Sequence, residues 1–194
     1  MLEIDLFYST FVVLYAIIFG ITAIIYKFGY KNKKIRLSFI GIFEAYILMI
    51  IKVVILPIRI FTDANLRDSM QQSITFDNLV QLIPFHSISE FVDGRAYLQI
   101  GGNILLLMPL PIFLFYLLKK NTGKAILLSS IFFTIGIECI QLIISWSTSF
   151  PSRIFDVDDI ILNFFGAVIG YGCCVILKRT SKCNEIIREN FILK

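Results

Sequence analysis

Five apolar runs decide what this chain can fold into. They are Leu6–Lys27, Leu37–Phe61, Leu98–Leu118, Ala125–Trp146 and Ile160–Leu177. A hydrocarbon core about 30 Å thick needs roughly 20 residues of helix to cross it. Barrel strands would be about half as long and would alternate in polarity, so the runs predict helices. The last run is short unless Asp158 and Asp159 sit at its mouth. With 57% hydrophobic and 16% charged residues the chain is too apolar for a soluble domain. No internal repeat or low-complexity segment divides it. The expected fold is an all-α integral membrane protein, residues 1–194 forming a single membrane domain of about five transmembrane helices in one bundle.

Charge sets the expected orientation. Lys27, Lys31, Lys33, Lys34 and Arg36 fill the first connection, Lys119, Lys120 and Lys124 the third, and Lys178, Arg179, Lys182, Arg188 and Lys194 the tail. The second connection holds Arg67 and Arg95 against Asp63, Asp68, Asp77, Glu90 and Asp93; the fourth holds Arg153 against Asp156, Asp158 and Asp159. Basic residues mark cytoplasmic loops, so the N-terminus is expected outside and the C-terminus in the cytoplasm. The acidic leader, Glu3 and Asp5 before a long apolar run, reads as a retained first span and not a cleavable signal. The net charge of +4 is divided among three loops and is no nucleic-acid footprint. Cys139, Cys173, Cys174 and Cys183 avoid the outer loops, so no disulfide is expected.

The long outer loop contains Ser73–Phe85, where Ile74, Phe76, Leu79, Val80, Leu82 and Ile83 alternate with Asp77, Asn78 and Gln81. This predicts a short amphipathic helix ended by Pro84, lying on the outer leaflet or closing over the polar groups as a lid. Gly101 and Gly102 suggest close backbone approach at the third span; Gly166 and Gly170, with Ala167 beside them, suggest a tight helix–helix contact at the fifth.

Polar residues inside the runs carry the functional signal. Thr134, Glu138, Gln141 and Ser145 fall on one helical stripe, and Asp159, Asn163, Gly166 and Gly170 on another. A charged group in hydrocarbon costs roughly 2.5–3.5 kcal/mol on insertion scales, so such stripes should face each other. At 1.5 Å per residue Glu138 lies roughly 12 Å below Trp146, and Asn103 roughly 8 Å below Leu98. Asn103, Glu138, Gln141 and Asn163 are expected to share one outward pocket, with Arg153, Asp156, Asp158 and Asp159 at its rim. Lys52, at a depth matching Glu138, is expected to form a buried ion pair with it. Carboxylates and an amide suit Mg²⁺ or Ca²⁺, but the spacing lacks an EF-hand loop's glycine and terminal glutamate, so no metal and no cofactor is expected. His86, the single histidine, is a loop residue that could act as a general base, though an incidental role fits it better.

The residues also form a recognisable set. Asn78-Leu79-x-x-Leu82-Ile83-Pro84-Phe85, Gly102-Asn103-Ile104-Leu105-Leu106-Leu107-x-Pro109-Leu110, Glu138-x-x-Gln141 and Arg153-x-x-Asp156-x-Asp158-Asp159-Ile160-Ile161-Leu162-Asn163-x-x-Gly166 follow in order. Together they resemble the VanZ-like family, with a core at 78–171. Asn78 stands several residues earlier than the family pattern has it, and Pro111 replaces a common glycine. The resemblance implies a small multi-pass protein of the bacterial cell membrane, with a role in the cell envelope or in resistance to teicoplanin-type glycopeptides. It brings no catalytic residue with it.

Two functions stay open on this reading. One is a binding protein whose pocket (Asn103, Glu138, Gln141, Arg153, Asp156, Asp159 and Asn163) holds a membrane lipid, a lipid-linked envelope molecule or a glycopeptide. The other is an integral-membrane enzyme acting on a lipid-linked precursor, with Glu138, Asp156, Asp158 or Asp159 as its acid or base. A proton-coupled transporter using Glu138 is a third, less attractive without a repeat.

Overall fold

The structure, a computed structural model, describes residues 2–5, 7–29, 34–90, 96–117 and 122–179. Five of its helical segments are long and apolar enough to cross a membrane: Tyr8–Lys27, Lys34–Ile55, Tyr97–Leu117, Gly123–Thr148 and Val157–Lys178. The fifth begins three residues earlier than the apolar run suggested, taking Asp158 and Asp159 into its first turn.

The chain begins with a short strand, β1 (Leu2–Ile4), followed by α1 (Tyr8–Gly29). α2 (Lys34–Ile50) packs on α1 and widens into one π-helical turn at Ile51–Ile55. β2 (Ile58–Ile60) then returns to pair antiparallel with β1, setting Glu3 opposite Arg59. This clasp corrects one expectation. Lys52 does not reach Glu138; its Nζ lies 2.6 Å from Asp5 Oδ1 and 2.7 Å from Oδ2, while Arg59 Nε reaches Glu3 Oε2 at 3.2 Å. The acidic leader is the nearer partner because the β1–β2 pairing carries it back to the end of α2. A double-mutant cycle tests the reassignment: Lys52→Met with Asp5→Asn should couple by about 0.5–1 kcal/mol, and Lys52→Met with Glu138→Gln by nothing measurable.

α1 otherwise presents apolar side chains outward, including Val12, Val13, Ile17, Ile21, Ile24 and Ile25. Among hydrocarbon tails this surface carries no penalty, because lipid is as apolar as the side chains. Across the α1–α2 contact, Glu44 accepts a hydrogen bond from the Thr22 hydroxyl at 2.5 Å.

The connection between the second and third spans departs from the single amphipathic helix predicted at Ser73–Phe85. α3 (Ala64–Ser73) comes first, capped by Asp63, whose carboxylate accepts from the Asn65 and Leu66 N–H groups. One turn, α4 (Phe76–Leu79), follows, then β3 (Val80–Gln81) and α5 (His86–Glu90). β3 pairs in parallel with β4 (Phe155–Asp156). Leu79 is fully buried, so tertiary packing and strand pairing override the local helical period here.

The third span is two helices, α6 (Ala96–Leu107) and α7 (Pro109–Leu117). Pro109 and Pro111 lack the N–H groups that would bond one turn back, and Met108 is biased from the helical region by Pro109. α8 (Gly123–Thr148) is capped by Thr122 and ends with Ser149 in the left-handed region at φ 53°. α9 (Val157–Lys178) packs against α6, α7 and α8 at the centre of the bundle. The main core joins Tyr46, Ile50, Val54, Leu107, Leu110, Phe113 and Ile137 from α2, α6, α7 and α8. Within it the Tyr46 hydroxyl donates to the Leu106 carbonyl at 2.7 Å.

Gly166 and Gly170 let α9 touch the broken span directly. A Cβ on Gly166 would lie 2.0 Å from the Ile104 carbonyl oxygen, and one on Gly170 1.9 Å from that of Met108. The close approach anticipated at Gly101 and Gly102 is not there: a Cβ at either would meet nothing within 4 Å.

Candidate functional site

Both predicted stripes turn inward. Thr134, Glu138, Gln141 and Ser145 are buried along α8, as are Asn163, Gly166 and Gly170 along α9. They face each other because water cannot reach them from the lipid side, so each must be met by protein or by a shared cavity.

That cavity exists, in two continuous parts that share Gln99, Asn103, Gln141, Arg153 and Asp159 in their walls. The outer part has a volume of about 680 Å³ and is bordered also by Ser87, Ser152 and Asp156. The inner part has about 220 Å³ and reaches Glu138, Asn163 and Ile137. Both volumes far exceed the roughly 10–15 Å³ that one water needs. Asn103, Glu138 and Asn163, from three separate helices, therefore do meet in one hollow.

The acids divide into two kinds. Asp156 and Asp158 are held by backbone. Asp156 caps α9 by accepting from Asp158 N–H at 2.8 Å, and its other oxygen takes the Ser87 hydroxyl at 2.5 Å. Asp158 accepts the N–H groups of Phe85 and Ile88 (3.1 Å for the second) and so binds the start of α5. These contacts are caps and loop ties of the kind expected where orphan N–H groups gather. Asp156 also borders the outer part of the cavity, whereas Glu138 and Asp159 border the inner part. Glu138 Oε2 accepts Asp156 N–H at 3.2 Å, and Asp159 accepts from the side chains of Asn103 and Gln99. Asp156, Asp159 and Arg153 all lie within electrostatic reach of Glu138.

The amides and Arg153 complete the walls. Gln141 Nε2 donates to the Val54 carbonyl at 3.0 Å, tying α8 to the widened end of α2. Asn163 is 1% exposed, and its Oδ1 has no hydrogen-bond partner. Arg153 is exposed at the rim, where one guanidinium nitrogen donates to the Val53 carbonyl at 3.2 Å. Its backbone is pinned by Ser145, whose hydroxyl donates to the Arg153 carbonyl at 2.7 Å.

Reasoning from sequence passed over Gln99, Ser87 and Ser152. Gln99 carried a usable signal, standing four residues before Asn103 on the same helical face. Ser87 and Ser152 carried none, since strand pairing and loop packing bring them to the cavity. His86 does not border the cavity. Among the described residues no group of three or more His, Cys, Asp or Glu side chains is placed to hold a metal ion.

The model of the family described as VanZ/LLP1 matches residues 43–178, a stretch that includes 78–171 and every cavity-lining residue named above. No curated protein and no solved structure matches the chain.

Proposed function

The chain belongs to the VanZ/LLP1 family of multi-span membrane proteins, and from that premise we propose that its cavity binds the polar head of a membrane amphiphile at the outer face of a bacterial cell membrane. A membrane lipid, a lipid-linked envelope molecule or a teicoplanin-type lipoglycopeptide has the required form. Such binding would serve glycopeptide resistance or homeostasis of the cell envelope.

The observation that carries this reading is a polar hollow embedded between apolar helices, ending on an amide oxygen without a partner. An unpaired buried polar atom costs about 1–3 kcal/mol, which a ligand's donor recovers. The direction of opening supports the outer face. Lys27, Lys34, Arg36, Lys124, Lys178 and Arg179 lie at the opposite end of the bundle from the cavity mouth, and the cytoplasmic end is the basic one. An apolar recess of about 280 Å³ formed by Phe76, Leu142, Ile143, Trp146 and Ser147 lies near the C-terminal end of α8, the same end of the bundle as the cavity, and its chemistry would suit an acyl chain.

The enzyme reading, in which Glu138 and the Asp156–Asp159 cluster act on a lipid-linked precursor, is the weaker of the two. Asp156 and Asp158 are engaged by backbone and serine donors. Glu138 and Asp159 are the carboxylates of the inner part, and among the described residues lining that part there is no serine, threonine or cysteine to act as a nucleophile.

Mass spectrometry of lipids retained by the purified full-length protein tests the proposal. The wild type should carry a specific lipid class at near one copy per chain. Asn163→Leu, close in size but without the amide, should lose most of it at unchanged yield and melting temperature. Retention of the bulk lipid mixture by both proteins would refute a binding site here; conversion of the bound lipid to a product would favour the enzyme.

A further inference from the structure

We propose that the deep part of the cavity is a receptor for a primary ammonium group, with Arg153 at the rim holding the anionic part of the same zwitterionic head. This deepens the lipid-binding reading above and rests on it.

The chemistry of the inner wall selects the ligand. Glu138 and Asp159 offer carboxylate oxygens, and Asn163 offers an unpartnered amide oxygen; all three border the same 220 Å³ space. Two of the bordering groups are carboxylates, which when ionised accept and do not donate. An anionic group placed there would meet Glu138, Asp159 and, one step outward, Asp156. The N-terminus of α9, which would ordinarily favour an anion, is already occupied by its own acids. A primary ammonium has three N–H donors and no acceptor, matching three oxygen acceptors. A quaternary ammonium carries the same charge but donates nothing, so the unpartnered Asn163 oxygen would stay unsatisfied beneath it.

The rim has the opposite character. Arg153 borders both parts of the cavity, and one hydrogen bond, to Val53, uses one of its five donors. The planar fork of the others suits a phosphate or carboxylate oxygen pair. An ammonium at depth and an oxyanion at the mouth describe a phosphoethanolamine-like head, supplied by a lipid or by the soluble compound.

Native mass spectrometry of the full-length protein in detergent separates the outcomes. The probes are dihexanoyl phosphatidylethanolamine, the matching phosphatidylcholine and the matching phosphatidylglycerol, with soluble phosphoethanolamine as competitor. The ethanolamine lipid should bind at least tenfold more tightly than either of the others. Glu138→Gln keeps an acceptor for Asp156 N–H but removes the charge, and should bring the ethanolamine lipid to the choline lipid's level while lipid still binds. If Glu138→Gln fails to fold, Asp159→Asn is expected to act likewise. Displacement by phosphoethanolamine at concentrations similar to the lipid identifies the head alone as sufficient; resistance to displacement identifies the lipid as the source. Equal binding of all three lipids would overturn the ammonium assignment and leave lipid binding standing. Binding of none would overturn both.

Discussion

Gly166→Val is expected to be the most damaging single substitution in the bundle. Its first side-chain carbon would stand 2.0 Å from the Ile104 carbonyl oxygen, a backbone atom that cannot turn aside. Either α9 moves away from α6 or the third span deforms. Overpacking of this kind costs about 1–3 kcal/mol and occasionally more, and the backbone on the far side places this case at the top of that range. For a chain of this size that corresponds to a fall in melting temperature of roughly 6–12 °C in detergent. The cavity should suffer as well, since α6 carries Gln99 and Asn103 and α9 carries Asp159 and Asn163. Gly101→Ala is the control: nothing lies within 4 Å of its Cβ position, and alanine's better helix propensity should leave the protein as stable or slightly more so. If Gly166→Val melts with the wild type, the helices are not in backbone contact and the geometry of the site is wrong.

The second large effect is expected at Asp158. Its carboxylate is 1% exposed and accepts two backbone N–H groups, those of Phe85 and Ile88. Hydrogen bonds to a charged group are worth about 1.5–3 kcal/mol each, and an orphaned donor adds its own desolvation cost. Phe85 also sits at φ 64°, where a non-glycine residue costs about 1–3 kcal/mol and needs its surroundings to hold it. Asp158→Ala removes that hold. The expected result is a loss of about 3 kcal/mol if the loop stays in place, or release of the segment around α5 if it does not. Hydrogen exchange at the Phe85 and Ile88 amides should accelerate strongly, and protease should cut the loop between the second and third spans. Asp158→Asn, which keeps one carbonyl acceptor, should be milder. Adding Phe85→Gly to Asp158→Ala should recover part of the loss, because glycine adopts positive φ without strain. Unchanged exchange at both amides in Asp158→Ala would show that the carboxylate is not what anchors α5.

The division of the acids into two kinds has a consequence for the function. Arg153, Asp156, Asp158 and Asp159 are close together in sequence, and by type alone each is an equal candidate for chemistry. In the fold Asp156 caps α9 and Asp158 binds α5, while Glu138 and Asp159 border the inner part of the hollow. The residue types point to a cap on α9 from Asp158 or Asp159, since Asp favours that position, but the cap is Asp156. Which acid would cap, and that Asp158 would reach back to a loop 70 residues earlier, was not legible from them.

Much of the architecture was decided locally. Run lengths dictate five spans, because a helix must satisfy its own backbone in hydrocarbon and must be about 30 Å long to cross it. The spacing of Thr134, Glu138, Gln141 and Ser145, and of Asp159, Asn163, Gly166 and Gly170, dictates two inward stripes, because lipid offers polar atoms no partner. Those two facts already turn the stripe of Glu138 toward the stripe of Asn163. The partner of Lys52 was decided elsewhere: depth along a helix measures one coordinate, and Glu138 and Asp5 compete in the other two. The pairing of β1 with β2 brings Asp5 to it. The same holds for the segment after Ser73, whose apolar period suits a helix in isolation yet yields to the pairing of Val80–Gln81 with Phe155–Asp156. Polarity and periodicity along one helix are local, one-dimensional constraints and were readable from the chain; which carboxylate, lysine or strand edge meets which depends on distances between distant segments, and only their packing together supplies those.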